Sequence, residues 1–551
     1  MSPTGAKQPS LAAQVSKAVV WNTAFVPLRL VAEVLATLVK LNFLSQAGYG
    51  LLALVSGANN GLGTVVDLGT ARALPKYIPE VSRLGGPRAV LRLLTAVLAL
   101  QLAVLAVLAL GLATLYREPY LDALRRRVLE DAQLGPADRA GLLGLLGDFG
   151  WLVIGAIVAL LLLGVCYDML MAYLNSFFKQ RAWNSIALAA GMLPQLLSVA
   201  AILALADGWD ILGVLVASVV APAIAVGLAG WQVLRLWLEQ RAWEPEARTP
   251  ALAPGTPWLP PGFVPYTGVS FLMTMTDFLA SASFAIYLAG GVSDAAVLTA
   301  GAALARMALG YLYTPMVGVQ VPLFTRVRQG EGGTLNGAYQ SLVRLQLLLF
   351  VPGGVGLMLL AEPALLVVGP QYLAAAPIVW VLVPCLFLES LLTTAHNALI
   401  VYERLRIIVA SRLITLAVVA PLAWLLPPRL GLVGVALAFG LARLAAGLWV
   451  TGSGVRLLGL RWPWRFTARV LGATAAMALL LLAARGLLPP LPAEVTLGVR
   501  LREAAWLLGL AMVGAAGFFL ALRLLGGLDE QDRAQLARMR LPLKRWWLRV
   551  L

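Results

Sequence analysis

The sequence predicts an all-α polytopic membrane protein of about fourteen transmembrane helices: two six-helix lobes related by a parallel pseudo-two-fold repeat, plus two C-terminal helices. Three observations carry that class. Of 551 residues, 60% are hydrophobic and only 12% charged, with a mean hydropathy of +0.85. So little charge cannot cover a water-facing surface, which excludes a soluble enzyme. Apolar runs of about 20 residues, the length that crosses a bilayer core, recur between charged or Pro/Gly-rich turns. The sequence that follows the second run returns after the eighth.

The runs place spans near 17–44, 49–71, 89–115, 150–173, 185–206, 211–234 and 263–289, then 295–320, 340–360, 374–400, 407–426, 431–452, 468–488 and 503–525. The first is too long for a signal-peptide core and lacks a small-residue cleavage site, so it is expected to stay as a span. Cys166 and Cys385 lie inside apolar runs and the chain has 1 histidine, so neither a disulfide framework nor a metal site is expected. With the N-terminus in the cytoplasm, most of the 42 Lys and Arg fall in tails and turns on that side. The expectation is a multi-pass protein of the cell (plasma or inner) membrane with both termini cytoplasmic. The net charge of +16 is mostly this orientation signal. No basic segment interleaves the aromatic residues that stacked bases need, so nucleic acid is not an expected partner, whereas membrane lipids are.

Between spans the sequence assigns domains as 1–240 (N-terminal lobe), 241–262 (cytoplasmic linker), 263–455 (C-terminal lobe), 456–528 (spans thirteen and fourteen) and 529–551 (basic tail). The linker is marked by seven prolines from Pro245 to Pro265 and has no helical period. In the tail, Lys544, Arg545 and Arg549 flank Trp546 and Trp547, which suits either an anionic lipid surface or a solvated end. The longest outer loop, Arg117 to Asp148, predicts one short amphipathic helix. Its Glu130-Asp131 pair resembles the acidic motif of membrane glycosyltransferases that use lipid-linked donors, which leaves that enzyme class as an alternative; no nucleotide-cradling P-loop is present.

The repeat is carried by "ALPKYIPEVSRLGG" after span two and "QVPLFTRVRQGEGG" after span eight. Pro75 falls on Pro322, and Gly85-Gly86 on Gly332-Gly333. Beyond the long outer loop the register shortens, and Asn175 falls on Asn397 and Gly213-Val214 on Gly434-Val435. Each repeat starts in the cytoplasm, as in parallel two-lobed transporters.

Charge inside a span costs several kcal/mol, so its position on the helix is informative. On span one Asn22, Arg29, Glu33 and Lys40 fall within about 40° of one face at 100° per residue. On span two Ser56, Asn60, Gly63 and Asp67 share a face, beside Asn59. Span seven aligns Thr267, Ser270, Thr274, Asp277 and Ser281, and span eight spaces Thr299, Arg306, Tyr313 and Gln320 by sevens. These are equivalent helices of the two repeats, and together they are expected to wall one polar cavity. Alternatives stay open at single residues. Arg29 and Glu33 can neutralise each other at i, i+4. Asp277 is either a proton or cation site or the counter-ion of Arg306, which has no acid three or four residues away. Asp67 and Asp168 can pair with Arg72 or Lys179. On span ten Glu389, Thr393 and His396 share a face with Asn397 beside them; a packed, hydrogen-bonded role for His396 competes with proton relay. Arg443 can snorkel or pair.

The architecture, with "DLGTARALPKYIPEVSRLGG" (Asp67 to Gly86), "LLVVGPQYLAAAPIVWVL" (Leu365 to Leu382) and "HNALIVYERLRIIVASR" (His396 to Arg412), resembles the multidrug/oligosaccharidyl-lipid/polysaccharide exporter superfamily. Within it the chain resembles the polysaccharide (O-antigen type) flippase branch. Its two extra C-terminal helices look like those of the lipid II flippase branch. The resemblance implies alternating access and no catalysis. The expected cargo is a polyprenyl-diphosphate-linked oligosaccharide, a cell-surface polysaccharide precursor for envelope biogenesis, moved from the cytoplasmic to the outer leaflet. Arg29 and Arg306 are then expected on the diphosphate, with Glu33 beside them, and Asn59, Asn60 and Thr274 on sugar. Asp277, Asp67 and Glu389 are the candidates for ion coupling, H+ or Na+ being the ion, with no resident cofactor. A polysaccharide polymerase or glycosyltransferases would be partners of a monomer. Lipid II transport, cation-coupled drug export and glycosyl transfer are the alternatives.

Overall fold

The computed structural model describes residues 26–176, 180–205, 209–243, 258–313, 320–328, 330, 333–487 and 497–526. Asn22, Lys179, most of the expected linker and the basic tail lie outside the described residues. Every regular element among them is helical, as an apolar solvent requires of a chain whose backbone groups must be satisfied within each segment. Twelve helices are long and apolar enough to cross a membrane, thirteen when a broken helix bent by 54° counts as one span. The remaining expected span is α1 (Val26–Phe43), 18 residues that contain Arg29, Glu33 and Lys40.

Two compact units divide the chain, Met1–Ala296 and Val297–Leu551. In the first, α1 is followed by α2 (Gln46–Asp67), α3 (Thr70–Thr114), α4 (Arg117–Glu130), α5 (Pro136–Asp148), α6 (Gly150–Ser176), α7 (Gln180–Ala204) and α8 (Asp210–Trp243). Then come the two arms of the broken span: α9 (Phe263–Leu279), and α10 (Ala282–Ala285) with a 3₁₀ turn, Ile286–Leu288. The broken span therefore belongs to the same compact unit as α1 to α8. Next begins α11 (Val292–Tyr313), whose first residues close this unit. Within α3 the chain turns at Gly86 (φ 64°, ψ −163°), a conformation open to glycine because it has no Cβ. That turn separates an amphipathic segment from the true span, Arg88–Thr114.

Packing in this unit follows membrane rules, with close approach replacing a hydrophobic drive between helices. Ala221, Ala225 and Ala229, one turn apart on α8, are all fully buried. They leave room for the core of Tyr77, Ile78, Leu93, Leu174 and Phe263, which joins α3 and α6 to the start of α9. Tyr77 meets Phe263 and Tyr266 edge-on, at 5.2 and 5.9 Å between ring centroids. A second cluster, Val66, Leu105, Ile157, Leu161 and Val165, fixes α2 against α3 and α6.

The long loop departs from expectation. It forms two helices, α4 and α5, because Asp131 leaves the helical region (ψ 105°) and Gly135-Pro136 restarts one, proline at N1 losing no hydrogen bond.

The second unit contains the rest of α11, then α12 (Gln320–Arg328), α13 (Leu335–Leu359), α14 (Ala361–Val368) and a 3₁₀ segment, Pro370–Ala375. α15 (Ala376–Val401), α16 (Leu405–Leu425), α17 (Pro427–Leu458), α18 (Trp464–Gly486) and α19 (Leu497–Leu524) complete it. α15 is its axis, packed on α13 and α17. The C-terminal pair is tied in through polar contacts at both ends of α13: Gln340 Nε2 donates to the Arg461 carbonyl at 3.1 Å, and Arg485 pairs with Glu362 and donates to the Leu359 carbonyl.

Candidate functional site

The corner between α2 and α3 builds the first half of the site. Leu68 (φ 55°) and Gly69 (φ 77°) both take the left-handed conformation, which ends α2 and reverses the chain. A Cβ on Gly69 would lie 2.4 Å from the Phe271 nitrogen and 2.5 Å from the Thr267 carbonyl oxygen, so glycine lets the corner sit directly on the backbone of α9. Asp67 Oδ1 accepts from the Ala71 amide at 2.9 Å and from the Thr70 hydroxyl at 3.1 Å, so this carboxylate caps α3. Buried Gln101 locks the corner from the span of α3, its Nε2 donating to Thr70 Oγ1 at 2.8 Å.

Because Asp67 is turned to the backbone, Arg72 reaches elsewhere: its Nη2 meets Asp277 Oδ2 on α9 at 3.1 Å. The alternative that Arg72 pairs with Asp67 is not the one realised. The observed pair supplies Asp277 with a cation from α3. The two side chains stay 42% and 36% exposed. A charged pair that open belongs where water or a polar ligand reaches it.

The second half follows α2 and the broken span. Asn60 Nδ2 donates to Ser283 Oγ at 3.2 Å, just past the break. Thr274 is half-buried and donates to the Ser270 carbonyl one turn back. Asn59 points differently from Asn60, as neighbours 100° apart must: it is half-buried, with Oδ1 buried and unpaired among the described residues. Thus Asp67, Arg72 and Asp277 lie at the α2–α3 corner, while Asn60 meets the broken span at Ser283 and Thr274 bonds within α9. On α1, Arg29 is helical with its side chain outside the described set, Glu33 is half-buried, and Lys40 Nζ donates to Gln195 Oε1 on α7 at 2.8 Å. That part of the span-one stripe meets α7.

In the second unit Arg306 is exposed on α11, Nε donating to the Ala302 carbonyl at 3.3 Å. Glu389 accepts two hydrogen bonds from Arg443, at 2.7 and 3.0 Å, so α15 and α17 are joined by a bidentate pair. The pairing alternative for Arg443 is the one realised. Asn397 donates to Gln320 at 2.6 Å and Gln320 to the Tyr313 hydroxyl at 3.3 Å, which makes one chain of the span-eight and span-ten polar residues. Thr394 and Gln346, both fully buried, share a 2.7 Å bond.

Asp131, the acid proposed from sequence as half of a transferase motif, is 4% exposed. Its Oδ1 accepts from the Gln133 amide at 3.0 Å and its Oδ2 from the Ser293 amide at 2.8 Å. Both oxygens cap backbone, which suits structure better than acid–base work. Arg72 and Ser283 are the residues sequence reasoning passed over as site members. Arg72 and Asp277 stand 205 positions apart, beyond any helical periodicity.

The similarity of the fold to solved structures runs almost the length of the chain. A lipid II flippase MurJ in an inward closed conformation superposes with a TM-score of 0.61 at 11% identity, covering 92% of this chain and 98% of that one. A multidrug resistance MATE family transporter matches inward-facing (TM-score 0.52, 15% identity, 78% and 94% coverage) and outward-facing (0.51, 15%, 81% and 96%). No protein-family model and no curated relative matches the sequence. At such identities the likeness establishes the fold.

Proposed function

We propose that the protein is a flippase that moves a polyprenyl-diphosphate-linked oligosaccharide from the cytoplasmic to the outer leaflet by alternating access. The observation that carries the reading is the exposed Arg72–Asp277 pair, with Asn60, Thr274 and Ser283 as hydrogen-bonding groups on α2 and the broken span. A diphosphate can replace the carboxylate on Arg72, since both offer oxygens to a guanidinium, and these groups suit sugar hydroxyls. Arg29 and Arg306 are proposed as further diphosphate contacts. Asp277, released from Arg72, becomes the coupling carboxylate for H+ or Na+. Asp67 is the weaker coupling candidate because it caps α3, and Glu389 because it is doubly bonded to Arg443. The fold shared with a protein named as a lipid II flippase, over 92% of the chain, supports a lipid-linked cargo, and lipid II stays the second reading.

The test is transport of fluorescent polyprenyl-diphosphate saccharides, lipid II included, in proteoliposomes. Arg72→Ala and Arg306→Ala are each expected to lower the rate about tenfold or more, the loss of one charge-assisted hydrogen bond. Wild-type rates in both variants would sink the assignment. Export of a cationic dye that depends on Asp277 and ignores both arginines would favour the drug exporter.

A further inference from the structure

The α4–α5 hairpin does more than connect two spans. The turn between the broken span and α11 has orphan groups at both ends, carbonyls where the 3₁₀ turn stops and amides where α11 starts. Both sets find partners on the hairpin. Arg127 Nη2 donates to the Tyr287 carbonyl at 2.6 Å and Nη1 to the Ala289 carbonyl at 3.0 Å. Asp131 Oδ2 accepts the Ser293 amide at 2.8 Å, and Gln133 Nε2 donates to Asp294 Oδ1 at 3.1 Å. Arg139 Nη2 bonds the Asp131 carbonyl at 2.8 Å and stiffens the hairpin's own corner. Burial lowers the affinity of the Arg127 guanidinium for its proton, and opposes ionisation of the Tyr120 phenol at the base of the same helix. The grip is therefore desolvated as well as doubly anchored.

The gripped turn lies between two interruptions of regular helix. On one side lies the 54° break at Ala280-Ser281; on the other lie Gly290 and Gly291. A Cβ on Gly291 would fall 2.6 Å from Asp131 Oδ2, so this position must be glycine for the carboxylate to dock. Tyr287, held at its carbonyl by Arg127, donates its hydroxyl to the Leu54 carbonyl of α2 at 2.5 Å. The hairpin therefore backs the same turn that the Tyr287 hydroxyl, together with Asn60 on Ser283, ties to α2.

We propose that the α4–α5 hairpin is a latch, with Arg127 and Asp131 as positioning residues that hold the α10–α11 turn against α2, and that its release opens the hairpin-side path to the Asn60–Ser283 contact. The latch is a property of this unit alone. Only its consequence for cargo rests on the flippase reading.

The experiment uses full-length protein in proteoliposomes, in a Cys166→Ser/Cys385→Ser background, with Ser283→Cys as reporter. A membrane-impermeant maleimide is added on the hairpin side, identified by labelling of Leu129→Cys. Arg127→Ala/Asp131→Ala is expected to speed reporter labelling about tenfold, in line with loss of hydrogen bonds to charged groups. An unchanged rate overturns the latch. Where that variant fails to fold, Gln133→Cys/Asp294→Cys decides, because it keeps both gripping residues. Its disulfide is expected to slow reporter labelling about tenfold, with recovery on reduction, and labelling as fast oxidised as reduced overturns the latch. Labelling needs no lipid-linked saccharide, so absence of transport in wild type would count against the flippase reading while the latch is judged on its own readout.

Discussion

The two arginine–carboxylate pairs, one in each unit, differ in a way that separates function from structure. Arg443 grips Glu389 with two bonds at 2.7 and 3.0 Å, and the side chains are 35% and 22% exposed. Arg72 Nη2 meets Asp277 at 3.1 Å, and both side chains are more open. A bidentate pair in a drier place resists exchange, because each partner left alone is a poorly solvated charge. A contact near water can be traded for another anion at little cost. The first pair joins α15 to α17, and the second is the one the proposed function uses for ligand exchange.

The comparison is broken most severely at the corner that presents Arg72. Gly69→Ala puts a Cβ into the α9 backbone at a left-handed residue, and is expected to cost about 3 kcal/mol or more, read as loss of folded protein by fluorescence-detected size exclusion. Next in size is Arg443→Ala, expected to lower stability by about 2 kcal/mol in a thermal melt, since it strands Glu389. Arg72→Ala should cost under about 1 kcal/mol in the same melt while transport falls, which sharpens the contrast between a pair that holds and a pair that exchanges. The smallest stability effect is expected for the swap Arg72→Asp/Asp277→Arg: a melting point close to wild type, with transport still absent because the cation has moved from α3 to α9. Restored transport in the swap would make the pair merely structural.

Much of the fold was legible because the bilayer imposes a local code. Each span declares itself by length and apolarity, and the broken span, Gly86 and the C-terminal pair all fall where the sequence places runs and turns. The stripes on spans two and seven were legible for the same reason, helical period; Asn60 of the first bonds Ser283, which lies outside the second. Partners were not. Pairing of Asp67 with nearby Arg72 was one alternative left open, yet the Leu68-Gly69 reversal turns Asp67 to the backbone of α3 and Arg72 toward α9. Arg443 had no acid within a helical turn, and its partner came from α15.

The sequence by itself determined the class, the spans and the faces that carry polar groups, since these follow from the transfer energy of single segments and from helical geometry. Only the tertiary structure decided who meets whom: Arg72 with Asp277, Arg443 with Glu389, and the hairpin's Arg127 and Asp131 with the backbone of the α10–α11 turn. Hydrogen bonds and ion pairs act over a few ångströms in space, and the packing of helices sets those distances between residues far apart in the chain.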